Sequence, residues 1–507
     1  MSCDKNMTFE ECELAVLRSA VDKMEKKTGR KKINDPDIKE IIRIVEDFLK
    51  LSKRVCYGGT AINNILPLQD QFYDKTTELP DYDFFSPEPL KDAKKLADIY
   101  YEKGFTEVEA KSGMHAGTFK VYVNFLPIAD ITYLVPELYK NIHKKAISVA
   151  NIYYCPPNYL RMAMYLELSR PDGDVSRWEK VLKRLTLLNK HYPMKGKNCR
   201  VEDIQRLFQY GTKKDLMKGG NKKSMEDYED EEDFLENIEE RIFYTVRDVL
   251  MGQGCVFFGA YANRMYLKTL KYLRKKKVPR VPDFDVLSDD PETTARILQE
   301  RLQDLDLKKV NVKKKPGVGE IIAPHYEVSV GPETVAFIYE PLACHSYNTI
   351  DLGPHKLRIA TLDTMLSFYL AFIYVNRPYY DANRILCMSK FLFKVQQKNR
   401  LSQKGLLRRF SPDCYGVQLT KEKMREEKAE KHRELKDKKG TREYDWYFLR
   451  YIPGELDGDY KPPKKKKRKK RKKKTKKKRK TKKGILSRLG FGGRKKHKRK
   501  TKKKRKH

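Results

Sequence analysis

The chain has 507 residues, enough for roughly three or four domains, and carries 109 Lys and Arg residues against 69 Asp and Glu residues. The net charge of +40 is uneven, because 31 of the basic residues and none of the acidic ones lie between Lys461 and His507. The first 460 residues therefore have a net charge of only +9, which is typical of a globular body and excludes a uniformly basic DNA-coating protein.

Three other classes of protein are disfavoured. The N-terminus mixes acidic residues among its apolar positions, so we expect no secretory signal. The longest apolar run, Leu366 to Val375, has ten residues, about half of what a membrane-spanning helix needs, so we expect a soluble protein. The nine cysteines form no Cys-x-x-Cys pair, which disfavours zinc ribbons and disulfide frameworks and favours a reducing compartment.

The first predicted elements are helical. Residues 1–34 are predicted to form an N-terminal helical segment. Asp35 is suited to cap the start of the next helix, because Pro36 pre-sets the first turn. Apolar residues then recur at helical spacing from Ile38 to Leu49, which predicts one buried face.

Residues 35–147 are predicted to form an α+β unit with a mostly antiparallel or mixed sheet. Gly58-Gly59-Thr60 follows the first strand, and a loop over residues 67–80 precedes the second. A helix is predicted over residues 91–103. The predicted strands, in chain order, cover residues 54–57, 81–85, 119–123 and 128–134.

A helical region is predicted over residues 148–212. The composition then changes, because residues 218–221 are rich in glycine and residues 226–233 are almost purely acidic. This change predicts an exposed, flexible linker over residues 213–232.

The pattern of the first unit returns in residues 233–345, which indicates an internal duplication. Three segments match in order, at offsets of 201, 202 and 207 residues. The matching pairs are Val55-Cys56-Tyr57-Gly58 with Val256-Phe257-Phe258-Gly259, Pro80-Asp81-Tyr82-Asp83 with Pro282-Asp283-Phe284-Asp285, and Val121-Tyr122-Val123 with Val328-Ser329-Val330.

The C-terminal part has two predicted sections. Residues 346–455 are predicted to form a mainly helical region, with the apolar residues 360–375 in the core. Residues 456–507 form the Lys/Arg-rich tail, which has too few apolar residues to bury a core and is predicted to be disordered.

The turn Gly58-Gly59-Thr60 is suited to hold a phosphate, because it joins a predicted strand to a predicted helix. Glycine lets the backbone approach a phosphate closely, and the following helix offers unpaired N–H groups and the positive end of its dipole. Two glycines in a turn are common, so this motif is informative only in combination with further chemistry-bearing residues.

Three aspartates strengthen the interpretation. Asp81 and Asp83 lie two apart in a predicted strand and therefore point to the same face, where each carboxylate raises the pKa of the other unless a cation lies between them. Asp130 stands in a later strand among apolar residues, where an acid rarely lies without a partner. This set is suited to two Mg²⁺ or Mn²⁺ ions that activate a hydroxyl and bind a triphosphate. For the pair alone, a solvated strand end is the alternative.

Together these motifs resemble those of the polymerase-β-like nucleotidyltransferase superfamily. More narrowly, the segments 57–62, 80–87 and 96–105 resemble the poly(A) polymerase catalytic subunits of poxviruses, asfarviruses and giant viruses. The detailed similarity covers about residues 55–136, and the duplicated arrangement extends it to about residue 345. The loop over residues 67–80 is a departure, because many members of the superfamily have a shorter interval between the glycine turn and the Asp-x-Asp pair.

The resemblance implies two tandem nucleotidyltransferase units and the template-independent addition of AMP from ATP to an mRNA 3′ end, with release of pyrophosphate. It implies that Asp81 and Asp83 bind both metal ions, and that Asp130 holds the catalytic ion near the 3′ hydroxyl. It also implies that Gly58, Gly59 and Thr60 hold the triphosphate.

The second unit keeps Asp283-x-Asp285 but departs from the first unit elsewhere. Its turn reads Gly259-Ala260-Tyr261, and at the shared offset of 207 residues Asp130 corresponds to Phe337. We therefore predict that the second unit is degenerate and catalytically inactive, with a structural or an RNA-binding role.

Two weaker signals also yield candidate residues. Lys180, Lys183 and Arg184 lie at helical spacing, and we include Lys180 and Arg184 among the nucleotide-binding candidates. A solvated helix face is the simpler interpretation of these three. His115 is a candidate substrate contact, for which an ordinary hydrogen-bonded loop histidine is the alternative.

Alternative functions and partners stay open at this point. ATP preference rests on the resemblance alone, so a uridylyl- or CCA-adding enzyme is one alternative and a non-catalytic RNA-binding scaffold is another. ATP and an RNA 3′ end are the expected partners, without a membrane, and the sequence does not choose between a monomer, a homodimer and a complex with a viral processivity partner. The expected location is the virion and the host cytoplasm, and the basic tail leaves the nucleus open.

The basic tail is predicted to hold the growing RNA strand by neutralising its phosphates. Deleting residues 461–507 should flatten the salt dependence of single-strand binding, whose log–log slope is about 0.7 per neutralised phosphate. The deletion should also shorten the product tails while single-nucleotide addition is retained. RNA binding at several salt concentrations and primer extension measure these effects. Loss of single addition would contradict this role and make the tail part of the active site.

Overall fold

The computed structural model describes residues 6–74, 76–200, 231–270, 283–353 and 355–455. The predicted tail lies outside the described residues. The predicted linker also lies outside them, apart from its last two positions, which begin a helix.

Helices and strands alternate along most of the described chain. The helices are α1 (Phe9–Ile33), α2 (Pro36–Ser52), α3 (Gly58–Ile65), α4 (Pro89–Glu102), α5 (Pro136–Lys144), α6 (Pro157–Leu168), α7 (Trp178–His191), α8 (Glu231–Gly252), α9 (Gly259–Leu267), α10 (Pro291–Gln303), α11 (Leu362–Phe372), α12 (Ala382–Lys398), α13 (Lys421–Leu435) and α14 (Arg442–Phe448). The strands are β1 (Val55–Cys56), β2 (Tyr82–Ser86), β3 (Val108–Ser112), β4 (Thr118–Val123), β5 (Leu126–Tyr133), β6 (Ile147–Val149), β7 (Ile152–Tyr154), β8 (Val256–Phe258), β9 (Phe284–Leu287), β10 (Val310–Lys315), β11 (His325–Val330), β12 (Glu333–Tyr339), β13 (His345–Leu352), β14 (His355–Ala360), β15 (Cys414–Tyr415) and β16 (Arg450–Tyr451).

The first units of structure follow the sequence pattern closely. The side chain of Asp35 accepts a hydrogen bond from the backbone N–H of Asp37 and so caps α2, as its position before Pro36 predicts. The apolar positions of α2, among them Ile41 and Phe48, are buried against the first sheet. The amphipathic spacing therefore determines which side of α2 faces the core.

The first sheet is mixed, with the strand order β16-β3-β4-β5-β2-β1-β7-β6. At its centre β2 runs antiparallel to β1 and parallel to β5. This parallel pair matters for the site, because it places residues that are far apart in the sequence side by side.

The second sheet repeats the first in order and direction. Its order is β10-β11-β12-β9-β8-β14-β13-β15. At its centre β9 runs antiparallel to β8 and parallel to β12, as β2 does to β1 and β5. The predicted α+β fold with two tandem units is confirmed by this repeated topology.

Two regions that were predicted to be helical begin with strands. The hairpin β6–β7 lies in the region 148–212, before α6 and α7, and the hairpin β13–β14 lies across the start of the region 346–455. Each hairpin adds its second strand in parallel to the first strand of its sheet, β7 to β1 and β14 to β8. The prediction of helical regions did not include these hairpins, of which β6 and β7 have only three residues each and are too short to show a strand pattern.

The end of the described chain returns to the first sheet. Strand β16 pairs with the edge strand β3, and the ammonium of Lys94 lies 3.0 Å from the carboxylate of Asp445. The indole ring of Trp446 packs edge-on against Phe119 and Tyr133. Residues 346–455 thus contribute to both sheets, because β16 lies in the first sheet and β14 and β15 lie in the second. The described residues up to Pro453 form one compact unit.

Cys199 is joined to Cys387 and Cys344 is joined to Cys414, with Cα atoms 5.3 and 5.2 Å apart. The expectation that disulfides are disfavoured is wrong for these four residues, since the fold brings together cysteines that are 188 and 70 positions apart in the chain. Sequence spacing carries no signal for such pairs. In the described part of the chain, no helix is long and apolar enough to cross a membrane.

A buried ion pair holds α11 in the second half of the molecule. The carboxylate of Asp363, which is fully buried, accepts hydrogen bonds from the guanidinium of Arg409 at 2.8 to 3.1 Å. Such a pair contributes little in net terms, but removing one partner leaves a buried charge uncompensated.

We expect Arg409→Met to lower the free energy of unfolding by about 3–5 kcal/mol, because the Asp363 carboxylate would stay buried without its cation. Urea denaturation measures the loss. Arg296→Met is the matched control, because Arg296 pairs with Glu292 on the exposed surface of α10, and it should cost no more than about 0.5 kcal/mol. Equal losses in the two variants would contradict this account.

Candidate active site

Three aspartates meet where β2 and β5 run side by side. Asp83 in β2 is the direct neighbour of Asp130 in β5, and Asp81 stands two residues before Asp83. Tyr82 and Phe84, between and after them, are buried on the opposite face. The alternation of the strand therefore turns Asp81 and Asp83 to the face that Asp130 shares, as the sequence predicts.

Burial and the neighbouring charges act on two of the carboxylates, Asp81 and Asp83. Burial raises the pKa of Asp83 to about 7, and the charges of Asp81 and Asp130 add to the effect. Burial, and next the charge of Asp130, also raises the pKa of Asp81. The local environment therefore disfavours negative charge, although the chain concentrates three acids in it.

Lys120 is a site residue that the sequence analysis missed. It is the neighbour of Asp130 across β4 and β5, and its ammonium forms an ion pair with the Asp130 carboxylate. Partial burial opposes the charge of Lys120, but the ion pair outweighs it and raises the pKa of the amine. The alternation of β4 between buried Phe119 and Val121 was the available signal, since it turns Lys120 to the face of the aspartates.

The donor set fits a divalent cation. Three carboxylates are hard oxygen ligands, and a cation among them would stabilise the ionised form of Asp83, which burial and the neighbouring carboxylates disfavour. Their oxygens do not all lie within 4.8 Å of one another, and the Asp130 carboxylate is paired with Lys120. The one cluster that meets this distance among the described residues is Asp172 with the joined Cys344 and Cys414, whose sulfurs are already bonded to each other.

The glycine turn is fitted against the aspartates. Gly58 has a φ of +72°, and a Cβ there would lie 2.5 Å from an Asp83 carboxylate oxygen. Glycine at this position therefore satisfies both the left-handed backbone and the close approach. The backbone N–H of Tyr57 donates to the Asp83 carbonyl at 2.9 Å, which ties the turn to β2.

The hydroxyl of Thr60 has a partner within the protein. This hydroxyl donates to the backbone carbonyl of Asp81 at 2.6 Å and is buried. The side chain thus holds Asp81 to the start of α3. Only the backbone of Thr60, in the first turn of that helix, is left to face a phosphate.

The two basic candidates on α7 lie in different surroundings. A guanidinium nitrogen of Arg184 would lie 3.0 Å from a Cβ at Gly59, which places Arg184 beside the turn. Lys180 is exposed, and Lys183 is exposed and pairs with Glu179 at 2.6 Å, the arrangement of a solvated helix face. His115 is exposed in the turn before β4, where its carbonyl accepts from the N–H of Thr118.

The second sheet has the same frame without the carboxylate set. The neighbour of Asp285 across β9 and β12 is Phe337, in the position that Asp130 has beside Asp83. The neighbour of Phe337 on β11 is Glu327, where the first sheet has Lys120. Asp283 and Asp285 line a small cavity of about 30 Å³ with aromatic residues and Arg384. The register therefore agrees with the offset of 207 residues that pairs Asp130 with Phe337.

Ionisation of Asp83 costs more in the folded protein than in the unfolded chain, because the folded pKa of about 7 exceeds the unfolded value of about 4. The metal-free fold should therefore lose stability as the pH rises from about 4 through 7. Asp83→Asn should remove this loss, raising the free energy of unfolding by about 2–4 kcal/mol at pH 8 and changing it little at pH 4. Denaturant unfolding in the presence of a chelator measures both values.

The matched control is Asp22→Asn, which changes an exposed aspartate on α1 and should leave the pH dependence as it is. An unchanged pH dependence in Asp83→Asn would contradict the electrostatic account of the site.

Comparison with known proteins finds relatives of the segment that carries this site. Residues 43–174 match the family model described as "Poly(A) polymerase catalytic subunit". A protein of African swine fever virus (strain Badajoz 1971 Vero-adapted), named "Putative poly(A) polymerase catalytic subunit", is 33% identical over 171 residues, which are 32% of this chain and 36% of that protein. A protein of the same name from Acanthamoeba polyphaga mimivirus is 32% identical over 166 residues, covering 32% of this chain and 28% of that protein. The similarity thus spans about a third of the length of these relatives.

The fold is similar over a much longer span. The crystal structure of the Megavirus polyadenylate synthase superposes with a TM-score of 0.69 and covers 89% of this chain and 88% of that one, at 18% sequence identity. The predicted resemblance is therefore confirmed: the chain is similar in sequence to viral poly(A) polymerase catalytic subunits over residues 43–174, and similar in fold to a viral polyadenylate synthase over most of its length.

Proposed function

We propose that this protein is a template-independent RNA nucleotidyltransferase that adds AMP from ATP to mRNA 3′ ends and releases pyrophosphate. One observation carries the proposal: Asp81, Asp83 and Asp130 share one face of the sheet beside the Gly58-Gly59 turn. The similarity of residues 43–174 to poly(A) polymerase catalytic subunits supports ATP as the nucleotide and RNA as the acceptor.

The reaction needs orientation and charge neutralisation more than covalent chemistry. The 3′-hydroxyl gives up its proton to water and its oxygen forms a bond to the α-phosphorus of ATP, the bond from that phosphorus to the bridging oxygen breaks, and pyrophosphate leaves with the electron pair. When bound by Asp81, Asp83 and Asp130, two divalent cations would lower the pKa of the attacking hydroxyl and neutralise the leaving pyrophosphate.

The residues of the chain have separate tasks in this scheme. Gly58 and Gly59 let the triphosphate approach the backbone, and the free N–H groups in the first turn of α3 face its oxygens. Arg184 adds a positive charge beside the same turn, and Thr60 holds Asp81 in place. Lys180 is left as a candidate contact for RNA on the exposed side of α7.

We propose that the second unit supports the first without catalysing. An aromatic ring stands in the position of the third carboxylate, which removes one of the ligands that a two-metal site requires. Its role is then structural, RNA-binding or both.

The same proposal includes the substrates, the oligomeric state and the location of the protein. ATP and an RNA 3′ end are the substrates, and the chain works as a homodimer, as a monomer or with a viral processivity partner. Light scattering at several concentrations distinguishes a monomer from a self-associated form. The virion and the host cytoplasm are the proposed locations.

Primer extension with the purified full chain tests the proposed activity. We expect Mg²⁺-dependent extension of an RNA primer by the wild type. Asp83→Ala should lower it by at least about a hundredfold, because a charge-stabilising ligand is lost. Asp283→Ala is the matched control in the second unit and should retain activity. Equal losses in the two variants would contradict the division of roles, and no extension by the wild type would favour a non-catalytic scaffold.

The same assay with each of the four nucleoside triphosphates tests the choice of base. We expect ATP to be incorporated in preference to the other three. Equal use of UTP would contradict the poly(A) assignment and favour a uridylyl-adding enzyme, and ordered use of CTP and ATP would favour a CCA-adding one.

A further inference from the structure

The loop between α3 and β2, residues 67–80, is fixed to α3, the helix that begins at the turn Gly58-Gly59-Thr60. The side-chain carbonyl of Asn63 accepts hydrogen bonds from the backbone N–H groups of Phe72 and Tyr73, at 2.8 and 2.9 Å. Asn63 is 1% exposed and lies in α3 itself. The long interval between the glycine turn and the Asp-x-Asp pair is therefore held in place around Tyr73, because α3 binds the loop backbone there.

The phenol oxygen of Tyr73 lies directly above the second glycine of the turn. A Cβ at Gly59 would lie 2.4 Å from this oxygen and 3.0 Å from a guanidinium nitrogen of Arg184. A side chain at Gly59 would displace the ends of the Tyr73 and Arg184 side chains, whereas Gly58 also has a left-handed backbone. The hydroxyl of Tyr73 therefore lies close to Gly59, in the first turn of α3.

Arg184 holds this tyrosine from the other side. Its guanidinium donates to the Tyr73 hydroxyl at 2.7 Å and lies 4.8 Å from the ring centre of Phe72. The helix that carries Arg184 is in turn tied to the loop, because Asp70 accepts from Lys190 at 3.0 Å and contacts His191 at 2.6 Å. Arg184 and Tyr73 are therefore held together by contacts at both ends.

The direction of the hydrogen bond leaves the tyrosine with a donor. A guanidinium can only donate, so the Tyr73 oxygen accepts from Arg184 and retains its own O–H proton. A cation and an O–H donor then lie together beside the N-terminus of α3, where backbone N–H groups also point outward. Three kinds of donor at one place form a site for a polyanion with several oxygens.

We propose that Tyr73 donates its hydroxyl proton to the triphosphate of the incoming nucleotide, with Arg184 as the partner that fixes the phenol over Gly59. This inference rests on the proposed function, since it assigns a further residue of the same nucleotide site. The loop over residues 67–80 then has a task, which is to supply a phosphate ligand from outside the glycine turn.

Nucleotide binding by Tyr73→Phe tests the proposal. Titration calorimetry with Mg²⁺ and no RNA primer compares ATP with AMP, which lacks the two outer phosphates. Loss of one hydrogen bond to a charged oxygen should weaken ATP binding roughly tenfold to a hundredfold and leave AMP binding unchanged. Tyr101→Phe is the matched control, because Tyr101 is exposed on α4, and it should bind both nucleotides as the wild type does.

A second variant separates contact with the nucleotide from support of the fold. Gly59→Ala places a methyl group against the Tyr73 hydroxyl and should weaken ATP binding in the wild-type background. In the Tyr73→Phe background the same change should weaken it less, because the oxygen nearest to the methyl group is gone. Melting temperatures of all variants without nucleotide complete the comparison.

The outcomes distinguish this proposal from the proposed function. A Tyr73→Phe variant that loses affinity for ATP but not for AMP supports it. A variant that lowers only the melting temperature, or weakens ATP and AMP equally, overturns it and assigns Tyr73 a packing role. If the wild type extends primers and Tyr73→Phe binds ATP equally well, only the role of Tyr73 is overturned. If the wild type binds no ATP at all, the proposed function is overturned together with it.

Discussion

The parallel pairing of β2 with β5 is the constraint on which the site depends. It makes Asp83 and Asp130 direct neighbours, although 47 positions separate them in the chain, and the alternation of β2 adds Asp81 to the same face. Burial in this place raises the pKa of Asp83 to about 7, and the charges of Asp81 and Asp130 add to the effect. The residues around the aspartates accommodate this concentration of negative charge.

Each neighbour of the aspartates responds to it in a different way. Lys120 offsets the charge of Asp130, Gly58 leaves room for the Asp83 carboxylate, and Thr60 holds the backbone of Asp81. Such an arrangement costs stability in the metal-free protein and is retained where a function requires it. A structural role alone would be served better by apolar residues of similar size.

The second sheet has the same strand arrangement but different residues at the positions of Asp130 and Lys120. Its strand order and pairing directions are those of the first sheet, but Phe337 and Glu327 stand where Asp130 and Lys120 would be. Where the carboxylate of Asp130 is absent in the second sheet, the cation that corresponds to Lys120 is absent as well. Aromatic residues line the small cavity that is left around Asp283 and Asp285. The second unit therefore keeps two of the three aspartate positions, and Phe337 occupies the third.

The amino-acid sequence was sufficient for the features that depend on short intervals. The cap at Asp35, the glycine turn, the Asp-x-Asp face and the duplication could all be predicted, because a turn, a strand face or a repeat is written in neighbouring residues or at a constant offset. Packing in three dimensions determined which distant residues meet. It brought Arg184 to Tyr73 across 111 positions of chain, placed Lys120 beside Asp130, and returned β16 to the first sheet. Such contacts arise from how the helices and strands pack; the sequence pattern gives the face on which a residue such as Lys120 lies, but not which distant residue it meets.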